Sequence, residues 1–115
     1  MAAKILIADD EPDIELLVRQ RFRKQIRDKS YDFLFAGDGS QALTLIESHP
    51  DVELVLSDIN MPVMDGLTLI AKLKERRADV ASVIVSAYGD MENIRKAMNR
   101  GALDFLTKPI NFEDF

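Results

Sequence analysis

Residues 4–11 read Lys-Ile-Leu-Ile-Ala-Asp-Asp-Glu, a short apolar run closed by three acidic residues. The shortness of this run, its β-branched residues and the acids that end it are typical of a buried strand in a parallel sheet. Similar apolar runs recur along the chain. The predicted strands cover residues 4–8, 32–36, 52–57, 82–86 and 104–107.

Amphipathic stretches separate these apolar runs. After the first strand, a helix is predicted to open near Pro12, a residue suited to a first helical turn. Its apolar face would contain Ile14, Leu17, Val18 and Phe22. Alternating strands and helices with short joints predict a parallel sheet with helices on both faces, because parallel neighbours are joined by right-handed crossovers. The fold class is therefore doubly wound α/β.

Three further helices follow the later strands. The turn at residues 37–40 can cap the second helix, and Asp65 is placed to cap the third. The fourth helix is predicted over residues 91–99, ending before Gly101 and burying Ile94, Ala97 and Met98. Only residues 110–115 remain after Pro109, and residues 111–115 offer at most about one helical turn, so a fifth helix is expected to be largely missing.

Size and composition narrow the possible functions. The 115 residues suit one domain, and the net charge of -5 argues against direct nucleic-acid binding by this segment. The absence of cysteine excludes disulfides, thiolate metal ligands and cysteine nucleophiles. No apolar run approaches the ~20 residues that span a bilayer, and the N-terminus lacks a secretory signal, so a cytoplasmic protein without a membrane segment is expected.

Polar side chains follow four of the predicted strands. In an open parallel sheet, ligands bind outside the carboxyl ends of the strands, so these residues are expected to meet at one edge. They are Asp9, Asp10 and Glu11 after the first strand, Asp58 and Asn60 after the third, Ser86 at the end of the fourth and Lys108 after the fifth.

The gathered carboxylates indicate a metal-assisted reaction. Neighbouring carboxylates repel one another, and a hard divalent cation with oxygen ligands, such as Mg²⁺, relieves that repulsion. With a cation present, the Lys108 ammonium and the Ser86 hydroxyl could also contact a phosphoryl group. An aspartate can act as the nucleophile of phosphoryl transfer, and Asp58 is central in the group.

Taken together, these motifs resemble the response-regulator receiver domains of two-component signalling, and the resemblance covers essentially residues 1–115. It implies a flavodoxin-like sheet in the order 2-1-3-4-5. It also implies that Asp58 is the phosphoacceptor and that the cofactor is Mg²⁺ or Mn²⁺. The implied ligands are Asp10 and Asp58 directly, Asp9 through water and the backbone carbonyl of Asn60.

The resemblance further implies a switch. Ser86 and Lys108 would bind the phosphoryl oxygens, Ser86 and Phe105 would change position on phosphorylation, and the Lys108–Pro109 peptide bond would be cis. The donor would be a sensor histidine kinase or a phosphotransfer protein. The chain would be the N-terminal receiver part of a longer protein, acting on a C-terminal output domain or a downstream protein, with a homodimer possible.

Two other functions compete with this interpretation. An aspartyl-nucleophile phosphatase would carry a second aspartate two residues after the nucleophile as general acid and base, whereas this chain has Asn60 there. The chain would then be a signalling switch that loses phosphate slowly, and not an enzyme. A protein-interaction module that works without phosphorylation would be expected to have lost a pocket residue, and none is lost.

Overall fold

The computed structural model describes residues 3–87 and 89–108. It contains five strands and five helices, in alternation except where two short helices follow β1. The elements are β1 (Ala3–Ala8), α1 (Ile14–Arg21), α2 (Arg23–Arg27), β2 (Tyr31–Ala36), α3 (Gly39–Ser48), β3 (Val52–Asp58), α4 (Gly66–Arg76), β4 (Ala81–Ser86), α5 (Met91–Asn99) and β5 (Asp104–Thr107).

All five strands form one parallel sheet in the order β2-β1-β3-β4-β5, which confirms the expected fold class and strand order. Its strands align so that Ala8 lies beside Ala36 and Ser57, and Asp58 lies beside Val85. This register brings the ends of β1 and β3 together. The residues that follow these two strands consequently share one edge of the sheet.

Helices cover both faces of the sheet. Along β1, Leu6 and Ala8 pack in the cluster that contains Ile46 of α3 and Leu69 of α4. The alternate residues of β1 pack in a second cluster with Val18 of α1. Successive side chains of a strand point to opposite faces, so α1 lies on one face and α3 and α4 lie on the other. A third cluster joins β4, α4 and α5.

The predicted first helix is interrupted at Phe22, which corrects the expectation of one continuous helix from Pro12. Phe22 has φ of -108° and ψ of 24°, and its ring is buried against Tyr31 and Phe33 of β2, with centroids 5.8 and 5.5 Å away. Leu17 was wrongly placed on the buried face, because it is 49% exposed. The apolar stripe is narrower than the sequence pattern indicates.

Helix α5 has the predicted bounds but a smaller buried face. Ile94 and Ala97 are buried, whereas Met98 is 40% exposed, so its predicted inward position was wrong. Successive helical residues are ~100° apart, and the sheet covers α5 from one side only. Gly101 adopts φ of 107° just beyond the helix, as expected for a left-handed helix terminus.

The predicted remnant of a last helix, residues 111–115, lies outside the described residues. The Lys108–Pro109 peptide bond, expected to be cis, also lies outside them. Within residues 3–87 and 89–108, no helix is both long enough and apolar enough to cross a membrane.

Candidate phosphoryl-transfer site

Three aspartates meet at the carboxyl edge of the sheet. One carboxylate oxygen each from Asp9, Asp10 and Asp58 can be chosen so that all three lie within 4.8 Å of one another. Asp9 and Asp58 are buried, with 8% and 6% exposure, whereas Asp10 is exposed. The sequence placed these residues after two different strands, and the β1–β3 pairing brings them together.

Backbone hydrogen bonds fix the two buried carboxylates. The Glu11 N–H donates to Asp9 Oδ1 at 2.9 Å, and the Ile59 N–H donates to Asp58 Oδ1 at 2.8 Å. Burial raises the pKa of Asp9 above its ordinary value, the Glu11 hydrogen bond opposes that rise, and the nearby Asp58 charge adds to it. The site therefore holds negative charge in a place where water solvates it poorly.

Lys108 supplies a positive charge to this cluster. Its Nζ lies 2.8 Å from Asp58 Oδ2, and the hydrogen bond to Asp58 raises the pKa of the lysine. The backbone N–H of Lys108, which follows β5, donates to the Ser86 carbonyl at 2.8 Å. This bond holds the lysine backbone beside the last residue of β4. Because its side chain is 41% exposed, the ammonium can contact a group that arrives from solvent.

Ser86 and Phe105 occupy the neighbouring strands β4 and β5. Ser86 is 2% exposed, and its Oγ lies 3.4 Å from the Ala87 carbonyl and 3.5 Å from Asp90 Oδ2. Phe105 is half-buried and packs against the cluster that contains Ile84 and Ala97. Tyr88, which follows Ser86 closely in the sequence, lies outside the described residues.

The loop after β3 is held by two glycines that sequence reasoning did not single out. The Gly66 N–H donates to the Ile59 carbonyl at 2.9 Å, and an added Cβ on Gly66 would lie 2.1 Å from the Asp58 carbonyl oxygen. The Gly39 N–H donates to the Met64 carbonyl, also at 2.9 Å, and an added Cβ on Gly39 would lie 2.6 Å from that Met64 carbonyl oxygen. Only glycine permits these close approaches.

The side chains present suit a hard divalent cation. Three carboxylates face one contacting ammonium, and oxygen ligands from aspartates are those that Mg²⁺ prefers. Asn60 is exposed in the adjoining loop and follows Asp58 closely enough for its backbone carbonyl to join such a set. The donor chemistry therefore fits Mg²⁺ or Mn²⁺.

An open cavity of about 270 Å³ lies beside the acidic cluster. It is lined by Asp9 and Asp10, by Glu15 of α1, by Phe35 of β2 and by Gln41 of α3, among others. Solvent and small molecules can reach the acidic edge of the sheet through this opening.

Comparison with known proteins identifies a family. Residues 5–115 match the model for the response regulator receiver domain. The chain is 33% identical to sporulation initiation phosphotransferase F of Bacillus subtilis, covering 99% of this chain and 88% of that protein. It is 37% identical to the glycerol metabolism activator of Pseudomonas putida, covering 91% of this chain and 47% of that protein. The receiver domain of NtrX from Brucella abortus superimposes with a TM-score of 0.80 at 32% identity, covering 96% of this chain and 89% of that one.

Proposed function

The chain belongs to the response regulator receiver domain family, and from this premise we propose that Asp58 accepts a phosphoryl group in a Mg²⁺-dependent reaction. The donor is a phosphohistidine on a sensor kinase or on a phosphotransfer protein. The acquired phosphoryl group then switches an output domain or a partner protein. In this role the chain is a signalling switch that takes part in its own phosphorylation and slow dephosphorylation.

The observation that carries this proposal is the position of the Asp58 carboxylate. It is buried, its oxygens lie close to those of Asp9 and Asp10, and the Lys108 ammonium contacts it at 2.8 Å. The Ile59 N–H and Lys108 orient its two oxygens. An oriented carboxylate next to a cationic side chain is suited to attack on phosphorus.

In the proposed reaction one oxygen of Asp58 attacks the phosphorus and a new O–P bond forms. The P–N bond to the donor histidine breaks, its electron pair passes to the imidazole nitrogen, and that nitrogen takes up a proton. Lys108 leaves its contact with Asp58 Oδ2 to pair with a phosphoryl oxygen, and the Ser86 hydroxyl donates to another. The negative charge of the transferred group is thereby balanced by side chains already at the site.

Mg²⁺, when bound, would screen the charge that develops on the phosphoryl oxygens. Asp10 and Asp58 would bind it directly, Asp9 through a water molecule, and Asn60 through its backbone carbonyl. The closeness of the three carboxylates supports this assignment, because a cation among them would offset their mutual repulsion.

Phosphorylation would change the protein by shifting an equilibrium between two packings. Ser86 would turn toward the phosphoryl group, and Phe105 would move further inward from its half-buried position. Because residue 105 is phenylalanine, packing must drive this change without a phenol hydroxyl. The affected surface would include α5 and β5.

The organisation of the whole protein is also part of the proposal. The chain spans 47% of the glycerol metabolism activator but 88% of sporulation initiation phosphotransferase F, so its relatives include both longer proteins and proteins of about this length. A C-terminal output domain or a separate protein would receive the signal, and a homodimer is one form that the active state could take. The receiver itself would bind neither nucleic acid nor membrane.

Two rival functions predict different behaviour. A phosphatase would need a proton donor at position 60, and the amide of Asn60 is a poor one. An interaction module that works without phosphorylation would need no cluster of acids around a lysine, yet Asp9, Asp10, Asp58 and Lys108 are all present. The phosphorylated switch accounts for all of these residues.

The decisive experiment measures intact mass after incubation with Mg²⁺ and a small phosphodonor. We expect one added phosphoryl group in the wild type and none in Asp58→Asn or after chelation of Mg²⁺. Asp28→Asn is the matched control, because Asp28 is an exposed aspartate at the far end of α2 and should leave phosphorylation unchanged. If a longer chain remained unmodified even with candidate kinases, the phosphorylation-independent module would become the better explanation.

A further inference from the structure

Asp90 precedes helix α5 without a side-chain cap, as Asp13 does before α1. At the start of α3 and of α4, Asp38 and Asp65 each accept a hydrogen bond at 2.8 Å from the backbone N–H three residues on. This is the usual role of an aspartate at a helix N-terminus. Among the described residues, no backbone N–H of the first turn of α5 donates to the Asp90 carboxylate.

The Asp90 carboxylate contacts two side chains instead. Its Oδ2 accepts from the Asn93 side-chain amide at 3.0 Å and lies 3.5 Å from the Ser86 Oγ. The backbone carbonyl of Asp90 still accepts the first helical hydrogen bond, from the Ile94 N–H at 3.1 Å. Asp90 therefore connects the end of β4 with the first turn of α5 through its side chain.

The Ser86 hydroxyl is held only loosely in this arrangement. Its contacts with the Ala87 carbonyl and with Asp90 measure 3.4 and 3.5 Å, both longer than the ~2.8 Å typical of O–H···O bonds. A hydroxyl has one hydrogen and can donate it to one acceptor at a time. A buried serine with weak local acceptors can be drawn away by a stronger one.

We propose that Asp90 is a positioning residue that holds Ser86 in the unphosphorylated arrangement and is released when Ser86 turns toward the phosphoryl group. The proposal rests on the function proposed above. Once Ser86 has turned away, the Asp90 carboxylate keeps its contact with the Asn93 side-chain amide at 3.0 Å. Movement of one hydroxyl would thereby change the hydrogen bonding at the start of α5.

The direction of the effect follows from the state that this contact stabilises. In the unphosphorylated state, the charged carboxylate attracts the hydroxyl hydrogen of Ser86. Removing Asp90 removes this weak hydrogen bond. The equilibrium between the two arrangements should therefore shift toward the phosphorylated one by about two- to tenfold.

Two properties of Asp90→Ala test this proposal. The first is its amide spectrum, in which signals of β4 and of the first turn of α5 should move toward the positions seen for wild type with Mg²⁺ and beryllium fluoride. The second is its rate of phosphorylation by a small phosphodonor, followed by intact mass, which should rise about two- to tenfold. Far-UV circular dichroism checks that the variant is folded.

Glu92→Ala is the matched control. Glu92 is an acid in the same turn of α5, its side chain is 82% exposed, and it pairs with Lys96 and not with Ser86. This variant removes the same charge but should leave the amide signals of β4 and the rate unchanged. Asp90→Asn, which keeps an acceptor oxygen, should fall between wild type and Asp90→Ala.

A double-mutant cycle separates positioning from a general effect on α5. In a Ser86→Ala background, Asp90→Ala should no longer move the β4 signals, because the contact is already gone. Two results would overturn the inference while leaving the proposed function intact. The first is an Asp90→Ala effect of equal size in the wild-type and Ser86→Ala backgrounds. The second is an Asp90→Ala protein that still accepts a phosphoryl group but has the wild-type β4 signals and phosphorylation rate. A wild-type chain that accepts no phosphoryl group would overturn the proposed function and the switch role of Asp90 together.

Discussion

Replacement of Gly66 by alanine tests how closely α4 packs against the phosphoacceptor. Gly66 is buried at the start of α4, and a Cβ built there would lie 2.1 Å from the Asp58 carbonyl oxygen and 3.1 Å from the Ile59 Cα. Ordinary van der Waals contact begins near 3.4 Å, so helix and strand would have to separate by about 1.3 Å. Both contacting groups are backbone, so no flexible side chain can absorb the movement.

The expected cost follows from this overlap. Overpacking of a close-packed region typically costs about 1–3 kcal/mol, and alanine regains about 0.5–1 kcal/mol over glycine in a helix. A net loss of about 1–2 kcal/mol should lower the melting temperature of a domain of this size by about 4–8 °C. Because the strand that moves carries Asp58, Mg²⁺ affinity should also fall, by about tenfold, since Mg²⁺ tolerates little change in its ligand geometry.

Thermal unfolding followed by far-UV circular dichroism gives the first quantity, and Mg²⁺ titration of amide signals gives the second. Gly37→Ala is the matched control, because Gly37 is exposed and its added Cβ would meet only the Gln41 side-chain oxygen at 3.6 Å. That control should keep wild-type stability and Mg²⁺ affinity. A Gly66→Ala protein with the wild-type melting temperature and unchanged affinity would refute the packing argument.

Three further substitutions have defined outcomes. Val63→Gly should stabilise the chain by about 0.5–1 kcal/mol in urea unfolding. The reason is that Val63 is 85% exposed and adopts φ of 67°, which is strained for a β-branched residue. A loss of stability would contradict that strain. Leu69→Ala should lower the free energy of unfolding by about 2–5 kcal/mol, because Leu69 is fully buried. Leu16→Ala, at a 59% exposed position, should leave the free energy of unfolding nearly unchanged. Equal effects of the two substitutions would contradict the assignment of Leu69 to the core. The hydrogen bond from Arg77 lowers the pKa of Asp79. The stability that this carboxylate contributes is therefore fully present above the ordinary aspartate pKa, and it is lost as the pH falls through the lowered pKa of Asp79. The difference in urea stability between wild type and Asp79→Asn should accordingly shrink in strong acid, and a difference that grew there would contradict the pair.

Local patterns in the sequence were sufficient for the main framework. The apolar run at residues 4–8 and the similar runs after it predicted five strands. The structure extends four of these strands by one residue at one end, as in β1 (Ala3–Ala8), and leaves the fifth unchanged. A cap at Asp65 and a cap somewhere in the turn at residues 37–40 were likewise predicted, and the structure shows Asp65 and Asp38 each accepting from a first-turn N–H group. These features depend on neighbours close in the chain, which is why they can be predicted without the fold.

The helix faces were predicted less well. Leu17 and Met98 continue apolar patterns but are exposed, whereas Leu69 is fully buried and was not singled out. Which side of an amphipathic helix is covered depends on the angle at which it meets the sheet. That angle results from the packing of whole elements, such as the burial of the Phe22 ring against β2, and a residue pattern does not contain it.

For the site, the sequence determined which chemical groups are available, and the parallel sheet rule determined that Asp9, Asp10, Asp58 and Lys108 share one edge. Only the tertiary structure decided their pairing: Lys108 contacts Asp58 at 2.8 Å across 50 positions of sequence. The same holds for the contacts of Gly66 with Asp58 and of Asp90 with Ser86. A residue type fixes what a side chain can donate, accept or carry as charge, but its actual partner depends on distances of a few ångströms, which arise only when strand register and helix packing are both in place.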